Sequence, residues 1–567
     1  MSRSTSLPPL LSAPIDVDPR AGFTFDMPLL ESFNFGDVVA LDFDVCRVAS
    51  TLGHQRTLPF VANELFQRSN LLLPETVDNL GDASGEGFRR QKPAAERGPV
   101  QLRVGTFRRW IKGVEAGYHR HPYHNSLHGC DVMCTSSTIL RQCGFLVLDS
   151  GARGGDVARS WSLTHLTLLV AAASHDIAHG ARTNPFLHAT KHPLVALYPG
   201  TMGVLEMMHA ATAHEVLSGE GQDIFGCLAV DEARWARGAV TELILATDLS
   251  RQAAVLKKWS DRKRPRPARS AAGGAAVWGD GGEGATAEGG AALWEPNAFG
   301  LGAGGEGDRL EVAKLVLKCA DLSNPAKSME VYLQWTERIL SEFYAQGDEE
   351  KSLGLAVTAI PQCDRTKPDL VADQNGFISF LVRPCFAALA TFLADCAAAE
   401  GAAAECAVAE GTAAESAVAE GAPNEGTAAA DGTVAAGSTV AGSAEDGAAG
   451  RNEGGRSARG TAVDCAAASE RASDGASIGL SSACRFADSL VASLDAKLAF
   501  WQRVKADLPE AKRSTITVPS ELPAAVFASA SGASGITPVD PRRFTFDEQP
   551  PLGKLSSRNL DEDEDRE

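Results

Sequence analysis

The sequence predicts an all-α fold, a compact domain of many helices that is interrupted by disordered insertions. The first observation is that apolar residues recur at steps of three and four through most of residues 100–251 and 308–396, whereas strand-like alternation is scarce. The second is that two internal blocks are dominated by glycine and alanine and hold few large apolar residues. Such blocks cannot bury enough apolar surface to order themselves, so we expect them to lie outside a helical core.

The N-terminal part of the chain divides into an arm and a helical region. Residues 1–30 contain proline and serine without helical periodicity, and we predict a flexible arm there. From residue 31 to about residue 80, apolar positions recur at helical steps, as in Leu58–Phe66, which predicts short helices. Residues 100–251 continue this pattern and form the longest predicted helical region.

Two low-complexity blocks interrupt the helical pattern. The first, at about 255–307, begins with a basic stretch that contains prolines and continues with glycine and alanine. The second, at about 396–482, carries an imperfect repeat of alanine, glutamate and glycine, and we predict that both are disordered. Helical patterning resumes between them at Asp308. After them, an amphipathic run at Phe486–Val504 predicts a core helix that returns to the domain.

Removing the two insertions leaves one helical domain that is discontinuous in sequence. We predict that this domain extends over residues 31–505. Residues 506–567 are expected to form a flexible acidic tail, because the chain closes with D-E-D-E-D-R-E.

The composition excludes several classes of partner and location. Lys plus Arg number 53 and Asp plus Glu number 72, a formal net charge of −19, which argues against nucleic-acid binding because phosphate contacts need clustered positive charge. The 12 cysteines include no C-x-x-C pair, which indicates reduced thiols and a cytoplasmic location. We identify no signal peptide and no apolar run of about 18 residues, so we expect no transmembrane segment.

The histidines are concentrated in one region of the chain. Of the 12 histidines, 11 lie within residues 119–214. His124 and His128 are four residues apart, and so are His175 and His179, so that each pair would share a face if it lay on a helix. Such a concentration of imidazoles suggests a metal site.

An aspartate accompanies the second pair. Asp176 directly follows His175 and would point about 100 degrees away on a helix, so both can bind one ion only at a helix edge or end. Imidazoles and a carboxylate that converge between helices suit zinc or another divalent ion. The best candidate for a further acidic ligand is Asp321, which interrupts the apolar face of a helix just before Pro325. One such residue alone is usually a hydrogen-bonded core residue, but several in segments that pack together indicate a site.

Six sequence motifs occur in a fixed order along the chain. They are Y-H-N-S-L-H-G-C-D-V at Tyr123–Val132, H-D-I-A-H-G-A-R-T-N at His175–Asn184, I-L-A-T-D-L-S at Ile244–Ser250, A-D-L-S-N-P at Ala320–Pro325, E-F-Y-A-Q-G-D at Glu342–Asp348 and D-Q-N-G-F-I at Asp373–Ile378. In this order they resemble the motifs of the class I 3′,5′-cyclic-nucleotide phosphodiesterases, over most of residues 31–251, 308–395 and 486–504. The resemblance implies the compact all-α catalytic domain of that family, whose fold overlaps with that of the HD-type phosphohydrolases.

The resemblance implies two divalent metal ions, zinc at a tight site and magnesium or manganese at a second site. By position, the ligands of the tight site are His128, His175, Asp176 and Asp321. Asp176 would also bridge to the second ion, whose other ligands would be mainly waters. The residues that would orient those waters are His179, Glu206 and Thr247.

The resemblance further implies hydrolysis of a 3′,5′-cyclic nucleotide to the nucleoside 5′-monophosphate, which would terminate a cyclic-nucleotide signal. A hydroxide that bridges the two ions would attack phosphorus in line with the bond to O3′. His124 resembles the general acid of the family and would be held in place by Glu342. An imidazole of reference pKa about 6.5 can protonate the departing alkoxide at physiological pH.

The same resemblance implies a purine pocket. The residues that it places there are Tyr123, Ile339, Phe343, Gln374 and Phe377. The Gln374 amide would offer a donor and an acceptor to the base edge. Asn324 precedes a proline, as in many cAMP-selective relatives, and leads us to expect cAMP rather than cGMP. A glutamine amide can be held either way round, so a dual-specificity or cGMP-preferring enzyme is the first alternative.

Two further alternatives are another HD-type nucleotide phosphohydrolase and a non-catalytic scaffold that binds cyclic nucleotides. The purine motif at Gln374–Phe377 disfavours the former, and the presence of every ligand position disfavours the latter. The sequence departs from the family pattern at Ala181, where glycine is usual, and at Lys497, where asparagine is usual. Neither position is a predicted ligand.

A small cyclic nucleotide is therefore the expected partner. A homodimer is compatible with the sequence, which leaves the oligomeric state and any tethering by other proteins open. The role of the two insertions is open as well.

Overall fold

A computed structural model of the chain describes residues 37–73, 100–145, 155–261, 306–357, 361–398, 480–523 and 525–527. Within these residues the regular structure is helical, and the single β feature is an isolated bridge between Leu72 and Leu102. The all-α fold predicted from the sequence is confirmed. The predicted arm at 1–30 and most of both predicted insertions lie outside the described residues.

The helices follow one another in a simple order. They are α1 (Val45–Leu52), α2 (His54–Arg68), α3 (Val104–Gly117), α4 (Ser126–Gln142), α5 (Gly155–Ser174), α6 (Asn184–Ala189), α7 (Pro193–Leu197), α8 (Val204–Leu217), α9 (Val230–Ala246), α10 (Gln252–Asp261), α11 (Glu306–Asp321), α12 (Met329–Ser352), α13 (Leu370–Ala398), α14 (Leu480–Asp507) and α15 (Glu510–Arg513). Short 3-10 turns lie at Ile224–Cys227, Leu249–Arg251, Asn324–Ala326, Pro361–Cys363 and Pro519–Glu521.

The core surrounds α4, which is buried on every side from Ser126 to Leu140. Helices α2, α5 and α11 pack directly against α4, and α9 packs against both α5 and α11. Helix α5 is buried from Leu166 to Ser174 and reads as a nearly continuous apolar run, which is what a helix surrounded by other helices needs. The ends of α5 and α11 therefore lie deep inside the domain, where chemistry can be shielded from water.

The edges of the packed region differ from those predicted. Helix α10 continues to Asp261, beyond the predicted start of the first insertion, and α14 begins at Leu480. The predicted tail also begins too early, because Ile516, Leu522 and Phe527 are buried in the core. These residues are apolar side chains separated by polar positions, so neither helical periodicity nor a continuous apolar run revealed them. The acidic end of the tail lies outside the described residues.

Helix α13 corrects one expectation about apolar segments. It is long and apolar enough to cross a membrane by length and composition, although the sequence analysis identified no such run. One face of α13 is buried in the core through Ile378, Val382 and Phe386, and core helices pass the same test. A π-helical turn at Phe377–Val382 interrupts the helix. Turns of this kind occur frequently at functional sites.

Neither histidine pair lies wholly on a helix, contrary to the prediction, because only His128 of the four is helical. His124 precedes α4, whose N-cap is Asn125; the Asn125 side chain accepts hydrogen bonds from the first backbone amides of the helix. His175 and His179 follow the last residue of α5, in a turn where Ala178 has a positive φ of 60°. The four-residue spacing of each histidine pair thus marks a helix boundary, the start of α4 for the first pair and the end of α5 for the second. At such boundaries the backbone direction changes, and side chains close in sequence can face the same point.

The second loop contains Ala181, the position at which the sequence has alanine where glycine is usual in the family that it resembles. Ala181 adopts the left-handed conformation, with φ 52°, and is buried while its backbone amide donates to His179. For an L-residue this conformation costs about 1–2 kcal/mol, whereas glycine adopts it freely. The alanine is therefore tolerated at a cost in stability.

Ala181→Gly is expected to stabilise the protein by about 0.5–1 kcal/mol, because relief of strain exceeds the added flexibility of the unfolded chain. The free energy of unfolding in denaturant is the measurement. Ala173→Gly, a buried alanine inside α5, is the matched control and should destabilise by about 1 kcal/mol. Equal destabilisation by both changes would contradict the strain at Ala181.

Candidate active site

Four of the predicted ligand residues converge at the buried ends of three helices. His128 projects from the first turn of α4, His175 and Asp176 follow the last residue of α5, and Asp321 is the last residue of α11. Because α4 begins at this point and α5 and α11 end there, no helix backbone lies between the side chains, and they can approach one another. The structure brings together the four residues that the resemblance selected from distant parts of the sequence.

The donor atoms of this group have the spacing of a ligand shell. His175 Nε2 lies 3.1 Å from Asp176 Oδ2 and 3.3 Å from Asp321 Oδ1. His128 Nε2 lies 3.6 Å and 3.2 Å from the same two oxygens. Neighbouring ligands of one divalent ion, each bound at about 2.0–2.2 Å, are about 3–3.5 Å apart. The residues therefore fit a divalent metal ion.

The orientation of His175 supports the same conclusion. Its Nδ1 lies 2.9 Å from the carbonyl oxygen of Ala172, to which it can donate. This contact occupies Nδ1 and leaves Nε2, which lies 3.1 Å from Asp176 Oδ2 and 3.3 Å from Asp321 Oδ1, as the ring nitrogen that can bind a metal ion. In metal-binding histidines, a hydrogen bond from the ring nitrogen that does not bind the metal fixes the tautomer and the ring plane.

The charges at this point are strongly coupled. Burial by itself lowers the pKa of His175, but the charges and hydrogen bonds of Asp176 and Asp321 outweigh it and raise the pKa well above its usual value. Burial by itself raises the pKa of Asp176, but the His175 charge and hydrogen bond hold it well below its usual range. Two partly buried carboxylates this close together are stabilised by positive charge between them, which a bound cation would supply.

The second group consists of His124 and Glu342, the predicted general acid and its partner. His124 Nδ1 lies 2.5 Å from Glu342 Oε2, and Glu342 Oε1 accepts from the backbone amides of Tyr123 and His124 at 2.6 and 2.8 Å. The Glu342 carboxylate therefore fixes both the ring and the loop that carries it. Burial lowers the pKa of His124, but the Glu342 charge and hydrogen bond raise it above the usual value overall.

His179 stacks on His124, with ring centroids 3.9 Å apart. Its Nδ1 accepts a hydrogen bond from the amide of Ala181 at 2.9 Å, and burial holds its pKa well below the usual value. The ring is therefore neutral with its proton on Nε2. An Nε2–H group is a hydrogen-bond donor rather than a metal ligand, which agrees with the outer position predicted for His179.

The other two predicted outer residues lie at adjoining helix ends. Glu206 is in the first turn of α8, where burial raises its pKa to about 7 although Asn184 Nδ2 donates to it at 2.9 Å. Thr247 caps the end of α9, and its hydroxyl donates to the carbonyl of Ile244 at 2.7 Å. The Thr247 oxygen keeps free lone pairs and can accept a hydrogen bond.

The predicted purine pocket contains a fixed chain of hydrogen bonds. Trp501 Nε1 donates to the Tyr332 hydroxyl at 2.8 Å, and that hydroxyl donates to Gln374 Oε1 at 2.6 Å. Because an indole N–H can only donate, the single proton of Tyr332 is directed at Gln374. The Gln374 amide is therefore held with its oxygen toward Tyr332.

A second polar pair lies beside Tyr123. Asn324 Nδ2 donates to the Tyr123 hydroxyl at 3.0 Å, while Asn324 Oδ1 is buried without a hydrogen-bond partner in the described structure. The apolar residues predicted to line the pocket are each half-buried at the edge of the core, as a surface that accepts a ligand requires: Ile339, Phe343 and Phe377.

Two features of the site were missed by the sequence analysis. His209 is buried, with Nδ1 2.6 Å from the carbonyl of Ile177 and Nε2 3.7 Å from Asp176 Oδ1. Its position three residues after Glu206, on the same helix face, was the available signal. Tyr332 lies outside the recognised motifs, and only tertiary packing brings it to Gln374.

Comparison with known proteins identifies the family. Residues 123–400 match the family of 3′5′-cyclic nucleotide phosphodiesterases. The chain is 31% identical over 285 residues to 3′,5′-cyclic-AMP phosphodiesterase 4C of Rattus norvegicus, covering 50% of this chain and 46% of that protein. It is 28% identical over 374 residues to the Mus musculus protein of the same name, covering 66% and 45%.

A third relative is cGMP-inhibited 3′,5′-cyclic phosphodiesterase 3A of Homo sapiens, 31% identical over 355 residues, with 56% of this chain and 28% of that protein covered. The chain thus spans less than half the length of each of these curated relatives. Among solved structures, the phosphodiesterase domain of the RhoPDE fusion protein from Salpingoeca rosetta aligns with a TM-score of 0.45 and 22% identity, over 67% of this chain and 98% of that one. On the family match, residues 123–400 form a domain of the 3′,5′-cyclic-nucleotide phosphodiesterase family.

Proposed function

We propose that the chain hydrolyses a 3′,5′-cyclic nucleotide, with cAMP preferred, to the nucleoside 5′-monophosphate. The observation that carries the proposal is the convergence of His128, His175, Asp176 and Asp321 beside the His124–Glu342 pair. The first group can bind cations, and the second can act as a general acid. Cleavage of a phosphodiester with an alkoxide leaving group needs cations that stabilise the phosphoryl charge and an acid that protonates the leaving oxygen.

The proposed cofactors are zinc at the tight site and magnesium or manganese next to it. When bound, such ions would activate water and draw charge from the phosphoryl oxygens. His128, His175, Asp176 and Asp321 would hold the first ion, and Asp176 would also face the second. The waters bound to the second ion would be oriented by Glu206, Thr247 and the Nε2–H group of His179.

The protonated His124 would serve as the general acid. In the proposed step the oxygen of a water that has given one proton to solvent forms a bond to phosphorus, the bond from phosphorus to O3′ breaks, and O3′ takes the proton from His124 Nε2. His124 is then reprotonated from solvent. Glu342 holds Nδ1 at the other side of the ring, so the proton available for transfer lies on Nε2. The stack on neutral His179 fixes the ring plane.

The preference for cAMP is supported by the fixed amides of the pocket. The unpartnered Oδ1 of Asn324 is a buried acceptor, and adenine offers an exocyclic amine where guanine offers a carbonyl oxygen. Tyr332 holds the Gln374 amide in one orientation, with its amino group free to donate to a ring nitrogen. Two of the relatives named above are called cyclic-AMP phosphodiesterases.

We also propose a cytoplasmic location. The ten cysteines in the described part of the chain are all free thiols, most of them buried, as is usual in a reducing compartment.

Replacement of a ligand and of the acid should have different consequences. Asp321→Asn should abolish zinc retention during purification, because it removes one of two charges that face the histidines. His124→Ala should keep zinc while lowering kcat by about 10²–10⁴-fold. Zinc content per chain and turnover of cAMP are the measurements. A His124 variant as active as the wild type would contradict the acid assignment.

The pH dependence of turnover should report the His124–Glu342 pair. Glu342 raises the pKa of His124, so the acid form persists above the usual range and kcat falls as pH rises through the raised value. Glu342→Gln removes this charge, and the alkaline limb of the kcat profile should move to lower pH. Asp348→Asn, on the same helix but paired with Arg365 at the surface, is the control and should leave the limb in place. An unmoved limb in the Glu342 variant would exclude His124 as the titrating group.

The base preference should depend on the Tyr332 hydroxyl. The wild type is expected to favour cAMP in a competition with cGMP. Tyr332→Phe frees the Gln374 amide to rotate, and the ratio of kcat/KM for cAMP over cGMP should fall about fivefold, the worth of one hydrogen bond. Tyr344→Phe, whose hydroxyl donates to Thr517 instead, should keep the ratio. A wild type that prefers cGMP would refute the proposed specificity.

A further inference from the structure

Lys318 is a buried cation inside the candidate site that no step described so far uses. Its side chain is 1% exposed, and it lies one helical turn before Asp321 on α11. Lys327, the other fully buried lysine among the described residues, pairs with the carboxylate of Asp131 at 2.5 Å. Lys318 instead donates to two backbone carbonyls, those of Thr247 at 3.2 Å and Asp248 at 3.5 Å. Burial of a charge is costly, so its retention here calls for a reason.

The two carbonyls directly follow α9: Thr247 is its C-cap, and Asp248 is the next residue, whose carbonyl also accepts from the Arg251 amide at 3.2 Å. A lysine side chain beside the C-terminus of a helix stabilises the negative end of its dipole. Burial lowers the pKa of Lys318, while the charges of Asp321, Asp248 and Glu206 partly offset this effect. The ammonium group therefore lies among the acidic groups of the site and ties α9 to α11.

The end of α9 carries Thr247, one of the residues proposed above to orient the waters of the second cation. The Thr247 hydroxyl donates backward to Ile244 and keeps its lone pairs for another partner. The end of α9 also adjoins the start of α8: a Cβ on Gly203 would lie 2.5 Å from Asp248 Oδ2 and 2.9 Å from Glu206 Oε2. The positions of Thr247 and of Asp248, whose carboxylate lies next to Gly203 as Glu206 does, thus depend on where the end of α9 is held.

We propose that Lys318 is a positioning residue for the second cation, because it holds the Thr247–Asp248 end of α9 one helical turn from Asp321. Helix α11 would then determine the distance between the two halves of the site, with Asp321 at the first cation and Lys318 behind the second. This role rests on the proposed two-cation function.

The test is a direct measurement of the second cation. The full chain is loaded with one equivalent of Zn²⁺ and titrated with Mn²⁺, and free Mn²⁺ is followed by electron paramagnetic resonance. Lys318→Met should weaken Mn²⁺ binding about tenfold, the usual effect of losing an outer partner, with zinc content unchanged. Lys318→Gln, which is polar but too short to reach both carbonyls, should weaken it as well, and Lys318→Arg should restore it.

Lys497→Met is the matched control, since Lys497 is also buried but lies on α14 with Asp42 as its charged neighbour. It should leave Mn²⁺ affinity unchanged. Wild-type Mn²⁺ affinity in a folded Lys318→Met or Lys318→Gln variant would overturn the role of Lys318. Failure of the zinc-loaded wild type to bind Mn²⁺ would instead overturn the two-cation proposal itself, a result that the variants cannot produce.

Discussion

Two partly buried carboxylates and two buried imidazoles meet where α4, α5 and α11 begin or end, and contacts from several helices keep them there. Asp176 and Asp321 could not remain charged in an apolar interior without positive charge between them. Each of the two acids approaches both imidazoles, His128 and His175, at 3.1–3.6 Å. Two carboxylates held this close repel each other unless a cation lies between them. The site is therefore expected to bind a cation tightly.

Helix α12 holds the two loops that carry His124 and His179 in place beside that point. Three residues on one of its faces, at steps of four and three, contact the two histidine loops. Glu342 binds the backbone of the first loop, Gln346 accepts from the Thr183 amide of the second at 2.9 Å, and Glu349 accepts from Arg182 Nε at 2.6 Å. One rigid helix thus sets the distance between the proposed proton donor and the proposed cations.

Strain and burial appear where precision is needed. Ala178 and Ala181 both take left-handed backbone conformations in the loop that presents His179. The Ala181 amide donates to the ring of His179, which fixes its tautomer. Residues held in such conformations cluster at functional sites because the surrounding contacts over-determine them.

The sequence alone determined the all-helical class and the resemblance to the family, and it predicted which residues would bind metal, because periodicity and motif order are local properties of the chain. It misjudged the histidine pairs, of which only His128 is helical, since a spacing of four is compatible with a helix and with a capped helix end. It also missed the packing of Ile516 and Phe527 and the partners of Gln374. Tertiary structure decided these points: contacts such as Trp501 with Tyr332 and Lys318 with Thr247 join residues 169 and 71 positions apart, and no local pattern encodes them.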